Sequence, residues 1–132
     1  GEDLPGNVKA VIADCGYTSE WDEFQREADT LHIPWFPVLN ATSVLSKVRD
    51  GYDFKQASAL AQVKKSRIPT LFIHGSSDEL VPYSMLGELY AAAACEKEEL
   101  TVEGAGHALS SSVAPTLYWR TVEDFIAKYL DR

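Results

Sequence analysis

Three runs of hydrophobic residues along the chain have the character of buried β-strands. Val8–Asp14 is β-branched and mostly apolar, and Pro69–Gly75 places five residues between a proline and a glycine. The continuous apolarity of the second run is typical of a strand covered on both faces, as in parallel sheets. A shorter run, Glu99–Glu103, predicts a third strand.

Helical periodicity fills most of the chain between and after these strands. Ser19, with an acidic residue three positions on, predicts the start of one helix, and a second helix is predicted to close near Gly51. A weaker helix is predicted over residues 53–66, and a further one begins near Pro82. The last helix begins at Pro115, and its apolar stripe consists of Tyr118, Val122, Phe125, Ile126, Tyr129 and Leu130.

The predicted order of elements is strand, helices, strand, helix, strand, helix. Such alternation implies a parallel sheet with right-handed crossovers, so the predicted fold class is α/β, in a single domain over residues 1–132. The long helical stretch from residue 19 to about 66 is predicted to be an insertion between the first two strands.

Two polar side chains follow the carboxyl ends of the second and third strands, where sites form in parallel sheets. Asp78 lies in the loop HGSSDELVP, and His107 lies in VEGAGHALSS just after two glycines. The glycines permit a tight turn that directs the imidazole back over the sheet. A carboxylate that accepts the ring N–H fixes the tautomer and leaves the other ring nitrogen as a general base. We therefore predict that Asp78 and His107 meet.

Simpler roles exist for both residues, and other groups compete with them. His107 could be a solvated loop histidine, and Asp78 could favour the start of the helix that follows it. Glu79 is the rival acid. Cys15 gives the chain order nucleophile, acid, base, but its flanks, ADCGYT, favour a small buried residue at a strand end.

The stretches PTLFIHGSSDELVP and VEGAGHA resemble the C-terminal half of a serine α/β-hydrolase of the bacterial esterase and serine-aminopeptidase type. The opening VKAVIADCGYTS is similar to the family's preceding strand. The resemblance implies the C-terminal portion of a doubly wound, mainly parallel sheet, with residues 19 to about 66 as a helical cap. It also implies Asp78 as the triad acid, His107 as the catalytic base, a small ester, thioester or amide substrate, and no cofactor.

The family's nucleophile elbow, G-x-S-x-G, is absent from the chain. GSSDE at Gly75 lacks the closing glycine, and the serines at 110–112 have no elbow glycines. The chain also begins GEDLPGNVKA, with its only methionine at Met85, which favours a piece of a longer protein. We therefore expect it to supply the acid and the histidine of a serine hydrolase and to be inactive alone. The alternatives are a cysteine-type hydrolase using Cys15 and a non-catalytic interaction domain.

Composition narrows the set of partners and ligands. A formal net charge of -8 argues against binding to nucleic acid, which needs a basic face. The two cysteines are too few for a disulfide scaffold, and Cys15, His32 and His74 match no compact ligand motif, so no metal site is predicted. No apolar run reaches membrane-spanning length and no signal peptide is visible, which favours a soluble, cytoplasmic protein.

Self-association is the last expectation from the sequence. In the family's topology the strand that bears the nucleophile lies beside Val8–Asp14, so this edge of the sheet is expected to present unpaired backbone groups. Pairing of two such edges, or exchange of the cap helices, would form a symmetric dimer.

Overall fold

The structure, a computed structural model, describes residues 4–54 and 56–130. Its strands are β1 (Val11–Asp14), β2 (Thr70–Gly75) and β3 (Lys97–Val102). Its helices are α1 (Glu20–Thr30), α2 (Trp35–Asp50), α3 (Ala59–Val63), α4 (Ser84–Ala92), α5 (Ser110–Val113) and α6 (Pro115–Leu130). The predicted alternation of strands and helices is confirmed, and α5 is a short addition that the sequence pattern did not reveal.

The three strands form one parallel sheet in the order β1-β2-β3. β2 is the central strand, and its Thr70 is in register with Val11 of β1 and with Lys97 of β3. The predicted parallel α/β architecture is therefore confirmed. Because the strands are parallel, the loops that follow them are neighbours at one edge of the sheet.

The two outer strands begin at residues other than those predicted. β1 starts at Val11 and not at Val8, because the Val8 amide donates to the Pro5 carbonyl at 2.9 Å in a turn. β3 starts at Lys97, two residues before the predicted Glu99. Its charged residues are tolerated because an outer strand keeps its side chains partly exposed.

Both faces of β2 are buried, as its continuous apolarity predicted. Leu71 and Ile73 are 0% exposed and pack with Phe125 of α6, which is also 0% exposed. Phe72 lies on the opposite face, where its ring centroid is 6.1 Å from that of Tyr90. Each such side chain contributes about 1.5–3 kcal/mol through burial. The strand that precedes the Asp78 loop is therefore held firmly from both sides.

The chain divides into two compact units. One unit contains the sheet and comprises the residues up to Tyr17 and from Leu60 onward, and the other is Thr18–Ala59. In the second unit Ser19 caps α1 as predicted, because its Oγ accepts the Asp22 amide at 3.1 Å.

The second unit holds α1 and α2 through local contacts. The rings of Phe24 and Phe54 have centroids 5.4 Å apart, and α2 ends as predicted at Gly51, whose φ is 71°. The helix expected over residues 53–66 is limited to α3. Asp53 instead anchors a turn, because its carboxylate accepts from Lys47 at 2.9 Å and its carbonyl accepts the Gln56 amide at 2.9 Å. The role of residues 19 to about 66 as a cap stays a prediction.

Helix length and composition also bear on membrane association. Within residues 4–54 and 56–130, the structure contains no helix that is both long enough and apolar enough to cross a membrane.

Candidate active site

Asp78 lies in a tight turn after β2, and its side chain is 0% exposed. Its Oδ1 accepts from the backbone amides of Leu80 at 3.0 Å and Val81 at 2.8 Å. An aspartate forms this kind of turn readily, since its short side chain reaches the amides that follow it in the chain. Oδ2 is left to face partners from outside the turn.

His107 supplies the partner for Oδ2. Its Nδ1 lies 2.9 Å from Asp78 Oδ2. An ionised carboxylate only accepts hydrogen bonds, so Nδ1 carries the proton and Nε2 keeps its lone pair in the neutral ring. Nε2 forms no hydrogen bond to the residues that the structure describes, and the side chain is 37% exposed. The structure thus brings the two predicted site residues together, while their catalytic roles stay predictions.

Backbone hydrogen bonds join the Asp78 loop to the His107 loop. The Ser77 amide donates to the Ala105 carbonyl at 3.0 Å. In the opposite direction, the Gly104 amide donates to Ser76 Oγ at 2.9 Å. The distance between the carboxylate and the imidazole is therefore fixed by two loops that are bonded to each other as well as to the sheet.

The electrostatic surroundings keep Asp78 ionised. Burial by itself would raise the pKa of this carboxyl group, because it disfavours the charged form. The Val81 amide, the hydrogen bond and charge of His107, and the Leu80 amide outweigh burial and lower the pKa of Asp78 below 3.8. At neutral pH the group is a carboxylate, the form that accepts a hydrogen bond from the imidazole N–H. Glu79, the rival acid, is exposed and lies outside this set of hydrogen bonds.

His74, which was not predicted to belong to the site, contacts the same carboxylate. It is 0% exposed, and its Nε2 donates to the Val81 carbonyl at 3.0 Å and lies 3.3 Å from Asp78 Oδ2. Its Nδ1 has no hydrogen-bonding partner within the described ranges. The sequence contains one signal for this role, because His74 is a histidine within an otherwise apolar strand. A polar side chain that is buried in this way usually forms a hydrogen bond to a neighbouring group.

Cys15 also lies at this edge of the sheet, directly after β1. It is 6% exposed, which confirms the interpretation of a small buried residue, and its φ is 53°. One side-chain atom from each of Cys15, Asp78 and His107 lies within 4.8 Å of the other two. Cys15 Sγ accepts the Ala108 amide at 3.2 Å and donates to Asp14 Oδ1 at 3.3 Å. The cysteine therefore belongs to the site.

The thiol of Cys15 is held in its protonated form. Burial raises the pKa of the thiol to about 11, against the effect of the Ala108 amide and with the help of Asp14. Tyr118 donates its hydroxyl to Asp14 Oδ2 at 3.0 Å. Burial, followed by this hydrogen bond, raises the pKa of Tyr118 to about 12. At neutral pH both groups therefore keep their protons around Asp14.

The same cluster offers atoms that a metal ion could use. A metal site here would need the thiolate of Cys15 and an uncommitted oxygen of Asp78. In the structure Cys15 Sγ donates to Asp14 Oδ1, and both oxygens of Asp78 already accept hydrogen bonds. The geometry therefore favours a hydrogen-bonded pair of Asp78 and His107, and the expectation of no metal stays a prediction.

Cys95 lies away from this site, near the other end of β2. Its Sγ is 3.7 Å from Thr70 Oγ1.

No known protein-family profile matches the chain, although proteins of similar sequence are known. The uncharacterized protein YqkD of Bacillus subtilis (strain 168) is 31% identical over 118 residues, which cover 87% of this chain and 38% of that protein. The uncharacterized protein Rv2307c of Mycobacterium tuberculosis (strain ATCC 25618 / H37Rv) is 31% identical over 81 residues, or 61% of this chain and 25% of that protein. The chain thus spans well under half the length of these relatives.

Solved structures are similar to this chain at lower identity than these relatives. A puromycin-hydrolyzing peptidase of Mycobacterium tuberculosis has a TM-score of 0.60 and 19% identity, over 92% of this chain and 18% of that one. An alpha/beta fold family hydrolase of Bacillus anthracis str. Sterne has a TM-score of 0.59 and 12% identity, over 89% of this chain and 58% of that one. A truncated carbohydrate esterase from gut microbiota has a TM-score of 0.50 and 27% identity, over 64% of this chain and 30% of that one.

Two of these likenesses cover 89% and 92% of this chain. The order of three parallel strands, with helices between and after them, recurs in proteins of the alpha/beta hydrolase fold. The chain therefore has the fold of the C-terminal portion of an α/β-hydrolase, as its sequence predicted.

Proposed function

We propose that this chain supplies the acid and the histidine of a serine hydrolase that cleaves a small ester, thioester or amide. The nucleophilic serine and the oxyanion-hole donors are expected from residues outside the chain, and no cofactor is needed. The likeness to a carbohydrate esterase at 27% identity supports an ester among these substrate classes.

One observation carries the proposal. A fully buried carboxylate, Asp78, accepts a hydrogen bond of 2.9 Å from His107, whose ring is 37% exposed. The carboxylate fixes the tautomer in which Nδ1 is protonated, so that Nε2 is the basic nitrogen. A buried acid behind a partly exposed base is the arrangement required for proton transfer to and from a bound substrate.

The reaction follows from these two groups. As a serine Oγ attacks the substrate carbonyl, His107 Nε2 takes the hydroxyl proton and the ring becomes an imidazolium, which the Asp78 carboxylate stabilises. The imidazolium then passes this proton to the leaving alcohol, thiol or amine, and the acyl group remains on the serine. In the second half Nε2 takes a proton from water, and the hydroxide attacks the acyl carbon. The bond to serine Oγ then breaks, the imidazolium returns the proton to Oγ, and the carboxylic acid product leaves the free enzyme.

The test compares the 132-residue chain with the longest protein that the same gene encodes, using a short-chain nitrophenyl ester. The longer protein is expected to hydrolyse the ester, and the chain alone is expected to show none above buffer. In the longer protein, His107→Ala is expected to lower kcat by about a thousandfold or more, and Asp78→Asn by a smaller factor. The double variant should resemble His107→Ala, because the two residues act as a unit.

Two substitutions serve as matched controls. Glu79→Gln changes the neighbouring exposed acid, and His32→Ala removes another exposed histidine, so both should leave kcat within about twofold. If Asp78→Asn left the activity intact, another acid would have to orient His107. Clear turnover by the chain alone that disappears in His107→Ala would refute the division of the active site between two segments.

A cysteine-type hydrolase is the second candidate, because Cys15 lies within 4.8 Å of Asp78 and His107. The raised pKa of its thiol, about 11, opposes this candidate, since the thiolate is the nucleophile. Hydrolysis by the chain alone that is abolished by Cys15→Ser would favour it over the serine mechanism. Failure of both the chain and the longer protein to hydrolyse any ester, thioester or amide would favour the non-catalytic interaction domain.

A further inference from the structure

We infer that Cys15 is a positioning residue for His107, and that it acts by accepting the backbone amide of Ala108 at its sulfur. Sγ lies 3.2 Å from the Ala108 nitrogen, within the range for a hydrogen bond to sulfur. Ala108 directly follows His107, so this bond fixes the backbone beside the imidazole. The inference rests on the proposed function for its catalytic meaning, while the bond itself is a property of the chain.

The bond links two distant parts of the chain that both have unusual backbone conformations. Cys15 has a φ of 53° and Ala108 a φ of 56°, and both lie in the left-handed region, which residues with a Cβ seldom adopt. Such conformations persist only where surrounding contacts hold them in place. At Cys15 the backbone is held because its amide donates to the Ile73 carbonyl of β2 at 2.9 Å. At Ala108 the bond to the sulfur has this role.

The network around the sulfur keeps it in the acceptor state. The thiol proton is directed to Asp14 Oδ1, and Tyr118 donates to Asp14 Oδ2. With its proton committed to Asp14, the sulfur presents a lone pair to the Ala108 amide. A chain of hydrogen bonds thus runs from α6 through β1 and Cys15 to the residue after His107. The Cys15 sulfur in this chain lies within 4.8 Å of a side-chain atom of Asp78 and of His107.

Chemistry at the thiol is not required by this role. Sγ touches a backbone amide and a carboxylate, and the proposed reaction transfers its protons through His107 alone. This distinguishes the inference from the cysteine nucleophile, because a positioning residue tolerates replacement by another acceptor and a nucleophilic thiol does not. A serine hydroxyl at position 15 can still accept and donate a hydrogen bond, although it extends less far than the thiol. An alanine side chain at this position can do neither.

The test measures the Ala108 amide and the His107 ring directly in the chain. Amide hydrogen exchange at Ala108, followed by NMR, is expected to be slow in the unaltered chain, roughly fivefold faster in Cys15→Ala and intermediate in Cys15→Ser. The low-field NMR signal of the His107 Nδ1 proton should broaden in Cys15→Ala and be restored in part by Cys15→Ser. Cys95→Ala, at the chain's other free cysteine, should change neither signal.

Kinetics of the longer protein supply the catalytic half of the test. Cys15→Ala is expected to lower kcat roughly tenfold with KM within about twofold, and Cys15→Ser should recover part of the loss. Far-ultraviolet circular dichroism checks that each variant is folded, and Cys15→Ser keeps the test informative if Cys15→Ala unfolds. Unchanged Ala108 exchange in Cys15→Ser and Cys15→Ala would overturn the inference, as would altered exchange with an unaltered kcat. If the longer protein shows no hydrolysis that depends on His107, the proposed function is wrong. The amide hydrogen exchange of Ala108 would still decide whether its bond to Cys15 Sγ exists.

Discussion

Gly75 and Ala105 approach so closely that no side chain fits at position 75. A Cβ built on Gly75 would overlap the carbonyl oxygen of Ala105, and this oxygen belongs to the backbone and cannot swing aside. Gly75 ends β2 just before the Asp78 loop, and Ala105 lies in the loop that carries His107. The contact therefore brings together the two loops on which the acid and the base are placed.

The closeness of Gly75 to Ala105 predicts a large effect from a single methyl group. We expect Gly75→Ala to lower the free energy of unfolding by about 2 kcal/mol or more, because the backbone must shift to admit the Cβ. In the longer protein, kcat should fall as well, since the shift separates Asp78 from His107. Urea unfolding of the chain and ester hydrolysis by the longer protein measure the two effects.

Gly87 provides the matched control for this substitution. It lies inside α4, and no described atom beyond its own helical turn lies within 4 Å of the position that a Cβ would take, so Gly87→Ala meets no obstacle. Alanine has the higher helix propensity, and we expect this variant to be more stable by about 0.5–1 kcal/mol. Equal stability of the two alanine variants would show that the loops adjust to a Cβ at Gly75 and that the contact is not essential.

The residues that follow the strands could be predicted from the sequence better than the contacts among them. The sequence indicates Asp78 and His107 because each stands just after an apolar run, and a parallel sheet places such residues at one edge. For Cys15 the sequence favours a small buried residue and leaves a nucleophile as the alternative. It does not indicate the contact with Ala108, because that contact depends on how the loops after β1 and β3 are folded. Sequence periodicity carries no information on that packing.

The lengths of the helices and strands show the same limit of prediction from sequence periodicity. The pattern predicts a helix over residues 53–66 that is too long, because the first of these residues form turns around Asp53. It does not predict α5, because four residues are too few to show a helical period. The amino end of β1 was placed too early because Val8 is β-branched and apolar, yet its amide is used in a local turn. In each case a local hydrogen bond or a short length overrides the hydrophobic pattern.

The lowered pKa of Asp78 predicts a loss of stability in acid. Because the folded-state pKa lies below 3.8, the folded state holds its carboxylate more strongly than the unfolded chain does. The resulting stability is fully present when the pH is above the pKa of Asp78 in the unfolded chain. It is lost as the pH falls through the lower pKa of Asp78 in the folded state. We expect Asp78→Asn to be less stable at pH 7 by about 1–3 kcal/mol and to lose less stability in acid. Thermal unfolding of both proteins between neutral pH and pH 3 measures the difference, and parallel curves would contradict it.

The raised pKa of Cys15 predicts the opposite dependence at high pH. Its value rises from 9.0 to about 11, so the folded state favours the protonated thiol. The protonated thiol therefore contributes to the stability of the folded state. This contribution is fully present below pH 9.0 and is lost as the pH rises through about 11. We expect the unaltered chain to lose stability over this range more steeply than Cys15→Ala, as measured by urea unfolding at fixed pH values. Cys95→Ala should retain the steep loss, and a steep loss in Cys15→Ala as well would assign it to other groups.

The edge of the sheet at β1 gives the last prediction, that the isolated chain self-associates. Within the described residues β1 pairs with β2 alone, and the Val11 and Cys15 amides donate to carbonyls in β2 or just before it. Because successive amides of a strand point to opposite sides, those of Ile12 and Asp14 face away from β2. Unpaired amides on a strand edge favour pairing with a second copy, which would form a symmetric dimer.

Sedimentation velocity at several concentrations, combined with hydrogen exchange, tests this pairing. We expect the exchange of the Ile12 and Asp14 amides to slow as the concentration rises, while the Val11 and Cys15 amides are protected at every concentration. Added salt should favour the dimer, because it screens the repulsion between two chains of net charge -8 beyond about 8 Å at physiological ionic strength. A monomer at high concentration with slow exchange at Ile12 and Asp14 would show that another segment covers this edge. A dimer in which these two amides exchange rapidly would place the interface elsewhere on the chain.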